Sequence, residues 1–120
     1  MNNLYERLGG AAGIDRIVDT AIASHLENPI IRTRFANARD IGRARRMAKE
    51  FFAHGATAGA LPYSGKDMLE AHRGMNITEQ EYLAATDDIL GSLESHGIDP
   101  ATRNDVLAIL YSLKGMIIRV

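Results

Sequence analysis

Apolar residues recur at helical spacing along most of this chain. Between Ala11 and Leu26 they fall three or four residues apart, which predicts one buried face of a helix. A second such face runs from Ile41 to Gly55, and it carries Ala44, Ala48, Phe51 and Phe52 with Met47 beside them. No stretch alternates apolar and polar residues with a period of two, as a half-buried strand would. The pattern therefore predicts an all-α fold.

Polar caps, glycines and prolines predict where the helices begin and end. Residues 3–6 resemble a capping box that opens one helical turn, and Gly9–Gly10 end that turn. Asn28–Pro29 combines a capping residue with proline at the first helical position, so a short helix is expected from there toward Phe35. The later signals predict a loop over 58–65, a capping box at Thr78–Glu81 before a helix that ends at His96–Gly97, and a last helix from Asp99–Pro100 to near Ile118.

Composition narrows the class of protein. At 120 residues the chain is long enough for one domain, 1–120. Its net charge of −1 gives no indication of nucleic-acid or membrane-surface binding. The absence of cysteine excludes disulfides and thiolate metal sites. No apolar run is as long as a membrane span, and the first residues are too polar for a signal peptide, so a cytoplasmic location is expected.

His72 is the candidate functional residue that the pattern brings forward. Met68 and Leu69 precede it by four and three positions, and Met75 follows it by three. A histidine on an apolar helical stripe needs a partner for its ring nitrogens, because an unpaired buried polar group is costly. From spacing alone the ordinary partner is a backbone carbonyl or solvent, and haem iron is the alternative.

The order of short motifs favours the haem alternative. The chain has Leu-Tyr-Glu-Arg-Leu-Gly-Gly, an Asn-Pro turn, a phenylalanine, a Phe-Phe pair, and then Tyr-Ser-Gly before Ala-His-Arg-Gly-Met-Asn-Ile-Thr. Two long helices are predicted after these motifs. Over nearly its whole length the chain resembles the group I truncated haemoglobins. The resemblance implies a two-over-two helical sandwich around one b-type haem (iron protoporphyrin IX).

The resemblance also implies roles for individual residues. His72 corresponds to the proximal iron ligand, on a helix reduced to about one turn. Its other ring nitrogen needs an acceptor, and a backbone carbonyl near Met68 is a candidate that the sequence alone does not establish. Phe35 corresponds to the phenylalanine that packs on the porphyrin, and Phe51–Phe52 to the aromatic pair of the distal helix. The expected apolar lining is Phe35, Phe51, Leu69, Met75, Ile77 and Tyr82, and the cations available to the haem propionates are Arg43, Arg45, Arg46, Lys49 and Arg73. For at least two of the arginines at 43–46, a solvated helix face is the expected alternative.

The distal side departs from the family pattern. The family commonly has a tyrosine on the second helix, where this chain has Ile22. Distal-helix positions that often carry glutamine or another polar residue hold Ala44 and Ala48. None of these three side chains can donate a hydrogen bond. Because a distal donor stabilises bound dioxygen, its absence argues against very tight oxygen storage, and we expect oxygen to dissociate faster than from family members with a distal tyrosine.

Met47 aligns with a position that supplies a sixth iron ligand, histidine or lysine, in some family members. Methionine there would form a second axial ligand opposite His72, an arrangement that favours ferrous iron and electron transfer. The alternative is that Met47 fills space in the core, as flexible methionines ordinarily do. Both interpretations stay open from the sequence.

The remaining histidines carry weaker signals. His25 is expected at the surface or in helix packing, His54 in solvent or near the haem edge, and His96 in the last turn of a helix. No Ser/His/Asp set, phosphate-binding loop or pair of carboxylates stands out, so no catalytic residue is assigned.

We therefore expect a haem-binding globin that reversibly binds oxygen, carbon monoxide or nitric oxide, as in oxygen transport, or that carries out one-electron chemistry. The alternatives are a nitric oxide dioxygenase or peroxidase-like enzyme, which would need a reductase as electron donor, and a helical interaction module without haem. A monomer or weak dimer is expected.

Overall fold

A computed structural model describes residues 3–37 and 40–120 and is helical through most of them. Within those ranges no strand forms, and an isolated bridge joins Ile77 to Ile118. The helices are α1 Leu4–Arg7, α2 Gly10–Glu27, α3 Arg32–Ala36, α4 Ile41–Ala56, α5 Met68–His72, α6 Glu79–Ser95, α7 Pro100–Ser112 and α8 Lys114–Ile117. The all-α prediction is confirmed. None of the described helices is long and apolar enough to cross a membrane.

Most helix starts follow from local side-chain capping. Asn3, Asp40, Asp67, Thr78 and Asp99 each accept a hydrogen bond from a backbone N–H in the first turn of the helix that follows. At Thr78 the predicted capping box is complete, because the Glu81 side chain also accepts from the N–H of Thr78. The prediction of α6 is therefore confirmed at its start, and Gly97 follows its end in the left-handed region, with φ 73°.

The helix predicted to begin at Asn28–Pro29 begins later. The Asn28 side-chain oxygen accepts from the N–H of Ile30, and the Asn28 carbonyl accepts from the N–H groups of Ile31 and Arg32. Residues 28–31 are thereby held as a turn, and α3 starts only at Arg32. The prediction was wrong because asparagine closes a turn on its own backbone as readily as it caps a helix.

The last predicted helix is divided into α7 and α8. The Ser112 hydroxyl donates to the Ile109 carbonyl over 2.6 Å, and this carbonyl is the one that Leu113 would use to continue the helix. The Leu113 N–H bonds instead to the carbonyl of Leu110. This shift of one residue ends α7 and separates it from α8.

The buried core lies around α2, which packs against α4, α6 and α3, while α6 packs against α7. This is the two-over-two arrangement that the resemblance implied. The fully or nearly buried apolar residues of the core cluster are Leu8, Ile14, Ile17, Val18, Ile22, Ala56, Leu93 and Val106. Gly13 permits the close approach of α1, because a Cβ atom at that position would lie 2.1 Å from the Leu8 carbonyl oxygen.

Candidate functional site

His72 ends the short helix α5, and its ring is held by its own helix. Its Nδ1 lies 2.9 Å from the carbonyl oxygen of Met68, one turn earlier. A carbonyl can only accept, so Nδ1 carries the proton and Nε2 carries the lone pair. Among the described residues Nε2 has no hydrogen-bond partner. The structure thus presents one unpaired imidazole nitrogen, oriented by a fixed second contact.

The half-buried His72 lines a cavity of about 200 Å³ together with mostly apolar side chains. Four residues that the sequence assigned to the haem lining lie here with it. They are Phe35, Met75, Ile77 and Tyr82, and the cavity is completed by Ile31, Arg34, Glu81, Ala85 and Ile117. Burial raises the pKa of Tyr82 to about 12, so its hydroxyl stays protonated and donates to the Leu110 carbonyl of α7.

Phe35 is fixed from behind by His25. The two rings stack with centroids 4.7 Å apart and planes inclined by 25°. His25 is only 6% exposed, and its Nδ1 lies 2.8 Å from the Asp88 carboxylate, which also accepts from the side-chain amide of Asn28. The prediction that His25 lies at the surface is therefore wrong, and the alternative prediction, that it packs between helices, is confirmed. The network joins α2, the turn at 28–31 and α6 beneath one wall of the cavity.

The α4 residues assigned to the haem divide between two faces of the helix. Ala48 and Phe52 pack against the core cluster that contains Ile22. Ala44, Met47 and Phe51, spaced by three and four residues, share an adjacent face and are half-buried. Phe51 also helps to line a separate, smaller apolar cavity between α4 and α7, about 80 Å³ in volume.

The loop after α4 is held against that helix by Tyr63. Its ring meets Phe51 edge-on, with centroids 5.3 Å apart. The Tyr63 hydroxyl donates to the carbonyl of Lys66 over 2.7 Å. His54 Nδ1 bonds to the Leu61 carbonyl, which holds the other end of the loop. The loop therefore carries the chain from α4 to α5 in a defined path.

Three of the predicted propionate cations are engaged elsewhere. Lys49 lies 2.8 Å from Asp15 and 3.1 Å from Asp19, and Arg45 lies 3.4 Å from Asp19. These pairs lie on the side of α4 that faces α2, away from Met47 and Phe51 on the helical wheel. Arg73 is exposed and pairs with Glu70. Arg43 and Arg46 are exposed. Leu69 is half-buried and, like Arg73, is not among the residues that line the His72 cavity.

Arg34 is the cation at the His72 cavity that the sequence interpretation missed. Its guanidinium makes a two-pronged pair with Glu81, with N···O distances of 2.6 and 3.0 Å, and donates to the Met75 carbonyl over 2.9 Å. The hydrogen bond from Arg34 lowers the pKa of Glu81 to about 2. Arg34 thus ties α3 to the start of α6 and to the segment after His72. The one signal in the sequence for a role of Arg34 at the cavity was its position next to Phe35.

Comparison with known proteins identifies the family. The family model described as bacterial-like globin matches residues 3–119. The chain belongs to this family. A group 1 truncated haemoglobin of Synechocystis is 29% identical over 113 residues, covering 91% of this chain and 90% of that protein. The resemblance predicted from the motifs is confirmed.

Solved structures support the two-over-two fold of this globin. The ferric truncated haemoglobin of Tetrahymena pyriformis superposes with a TM-score of 0.92 at 23% identity, covering 99% of this chain and all of the other (100%). The 2/2 haemoglobin of Synechococcus, in the cyanomet state with covalently attached haem, gives a TM-score of 0.83 at 24% identity, with 94% of each chain covered.

Membership of a globin family implies that this chain binds haem, and globins bind small diatomic ligands. The residues around His72 suit that group. A haem needs a neutral imidazole nitrogen for its iron and apolar surface for its porphyrin. The unpaired Nε2 of His72 and the side chains of Phe35, Ile77 and Ile117 supply both around one cavity.

The Arg34–Glu81 pair should make the free energy of unfolding of this globin depend on pH in the acid range. With its pKa at about 2 in the folded protein and 4.5 as its ordinary value, Glu81 contributes stability that is complete above pH 4.5 and is lost as pH falls toward 2. Arg34→Met should lower the free energy of unfolding by about 1–3 kcal/mol at neutral pH, since two charge-assisted contacts and a backbone contact are removed. That difference from the native protein should shrink on acidification, as measured by urea unfolding at several pH values.

Arg32→Met, which removes an exposed arginine of the same helix, is the matched control and should change stability little. A difference between Arg34→Met and the native protein that stays constant with pH would contradict the assignment.

Proposed function

We propose that this globin binds a b-type haem through Nε2 of His72 and reversibly binds diatomic ligands on the opposite side, toward α4. The observation that carries the proposal is the Nδ1 contact of His72 with the Met68 carbonyl, because it leaves Nε2 as a lone pair beside an apolar cavity. When bound, haem supplies an iron atom that accepts a small axial ligand and exchanges one electron. The chain supplies the proximal ligand to the iron and the apolar surroundings of the haem. Its side chains also determine which diatomic ligand is bound.

On the proximal side, Phe35, Met75, Ile77 and Tyr82 would hold the porphyrin by contact. Phe35 is suited to this because its ring is already fixed by the stack on His25. A side chain that is ordered before the cofactor binds loses less conformational freedom on binding.

On the distal side, Ala44, Met47 and Phe51 of α4 would face the ligand, with Ala48 and Ile22 behind them. Ile22 is 4% exposed and belongs to the core cluster. None of these side chains can donate a hydrogen bond to a ligand. Oxygen, which depends most on such a donor, would be bound weakly compared with carbon monoxide.

Met47 is the side chain that could add a ligand from the protein itself. It shares its helical face with Ala44 and Phe51, outside the set that packs on the core, and small neighbours leave room around it. We propose it as the second axial ligand, which would direct the protein to one-electron chemistry with a reductase as partner. We also propose that the chain acts as a monomer or weak dimer in the cytoplasm.

His72→Ala should abolish haem retention or weaken it severely, because no other side chain around the cavity offers an imidazole nitrogen. Imidazole added to the variant should restore binding in part by occupying the space left. The measurement is the Soret absorbance after haem loading and gel filtration. His96→Ala, at an exposed helix end, is the control and should load normally. Normal haem spectra in His72→Ala would contradict the proposal, and a native protein that takes up no haem would favour the interaction module without haem.

Ile22→Tyr should slow oxygen dissociation, because it places a hydroxyl donor where the native pocket has none. Stopped-flow displacement of oxygen by carbon monoxide measures the rate. Ile22→Phe brings the same bulk without the hydroxyl, so it separates the donor from overpacking of the core. Equal oxygen dissociation rates in the Tyr and Phe variants would contradict the argument.

If Met47 binds the iron, the ferric and ferrous proteins should both be six-coordinate and low-spin without added ligand. Carbon monoxide binding should then reach a rate limit that is independent of its concentration, set by release of the thioether. Met47→Leu keeps most of the volume and should give a high-spin or water-bound spectrum, faster carbon monoxide binding and a lower reduction potential. High-spin spectra of the native protein in both oxidation states would leave Met47 as ordinary packing.

A further inference from the structure

The segment that carries His72 has little core of its own. No residue of α5 is buried. In the following residues 73–77, Ile77 is the buried side chain, at 8% exposure. A helix of one turn has almost no stability in isolation, because nucleation is unfavourable and few hydrogen bonds reward it. The Met68 carbonyl orients the His72 ring on α5, but the position of α5 and of residues 73–77 has to be set by contacts from elsewhere in the chain.

Residues 118–120, called the strap below, run beside this segment and pair with its backbone. The Arg119 N–H donates to the Ile77 carbonyl over 2.9 Å, and the Gly74 N–H donates to the Val120 carbonyl over 3.1 Å. Ile77 and Ile118 form a parallel bridge next to the first of these bonds. The strap is thus hydrogen-bonded to both ends of the segment 74–77. The bond nearer to His72 is the one at Gly74, two residues after it.

The side chains next to the strap lead directly to the cavity. Ile117, at the end of α8, is 6% exposed and lines the cavity with His72 and Ile77. Helix α8 itself packs against α5. Backbone pairing and side-chain packing therefore act on the same few residues from the same side.

The backbone at Arg119, within the paired residues, has an unusual conformation. Its φ is 54°, in the left-handed region that non-glycine residues seldom adopt. Asn76 in the paired segment also has a positive φ, of 49°. Strained residues persist where surrounding contacts enforce them, and they are often found at functional positions. At Arg119 the positive φ sets the course of the chain that follows this N–H, which leads to Val120, whose carbonyl accepts from Gly74.

We propose that the strap is a positioning element for His72, which holds residues 74–77 so that Nε2 points into the cavity in one direction. This inference rests on the proposed function, since it assigns to the strap control over the bond between His72 and haem iron. We do not propose a contact between the strap and haem. It acts through the backbone that follows His72.

Two substitutions at one position separate the pairing from the side chain. Arg119→Pro removes the N–H that donates to Ile77, and proline cannot adopt the native φ. Arg119→Gly keeps the N–H and adopts a positive φ freely, while it removes the same exposed side chain. Val106→Ala provides a third comparison, because it weakens the core at α7 and leaves the strap intact.

In the haem-loaded variants, Arg119→Pro should increase the rate of haem loss by about tenfold, the equivalent of one lost backbone hydrogen bond. It should also shift or broaden the iron–histidine stretching band in the resonance Raman spectrum of the ferrous protein. Amide hydrogen exchange at Gly74 and nearby residues should accelerate in the whole 120-residue chain before haem is added as well as after. Arg119→Gly should match the native protein in all three measurements.

The proposal is overturned if Arg119→Pro keeps the native stretching band and haem loss, or if Val106→Ala changes that band to the same extent. His72→Ala is measured alongside. Haem retained without His72 refutes the proposed function, whereas a strap variant that behaves as native while His72→Ala loses haem refutes the strap alone.

Discussion

The hydrogen bond from His72 Nδ1 to the Met68 carbonyl decides what the surrounding pocket can do. It fixes the tautomer, ties the ring to the first residue of a five-residue helix and leaves the other nitrogen as a lone pair. If this bond were lost, the ring could rotate or change tautomer, and the nitrogen beside the cavity could carry a proton instead of a lone pair. The apolar side chains around it would then enclose a hydrogen-bond donor that no porphyrin could satisfy. The apolar walls of the cavity therefore suit a haem only because the contact with the Met68 carbonyl fixes the tautomer of the His72 imidazole.

Helix α3 and the turn before it form one wall of the cavity beside this bond. Each part of that wall is held by a different kind of interaction. Phe35 is held by ring stacking on His25, Arg34 by ion pairing with Glu81, and the turn before α3 by the amide of Asn28 on Asp88. None of the residues of α3 is fully buried, so hydrophobic burial alone does not fix this short helix. Polar pairs with fixed geometry give it a single position, which an apolar contact of the same area would specify less sharply.

Local chemistry explains which parts of the fold and site were predictable from sequence. The caps at Thr78 and Asp99, the faces of α2 and α4, and the Met68 carbonyl contact all depend on residues three or four positions apart. The pairs that hold the site join residues far apart in sequence: Arg34 and Glu81 are separated by 47 positions, and His25 and Asp88 by 63. Arg45 and Lys49 were assigned to the haem because their charge suited it, but the packing of α4 on α2 brought Asp15 and Asp19 within reach. A pattern along one helix cannot reveal which carboxylates its neighbour will present.

The uneven burial of the helices has a consequence for how a cofactor would enter. The buried side chains of the core belong chiefly to α2, α6 and α7, while α3 and α5, which line the cavity, contribute none. Regions with few buried contacts unfold locally at lower free energy than the whole domain does. Transient unfolding of residues 66–77 and of the helix at 32–36 would therefore open the proposed haem cavity while the α2–α6 scaffold stays folded. If haem leaves by this route, the lifetime of the loaded protein is governed by the stability of its weakest unit, and mutations that strengthen the core would leave that lifetime almost unchanged.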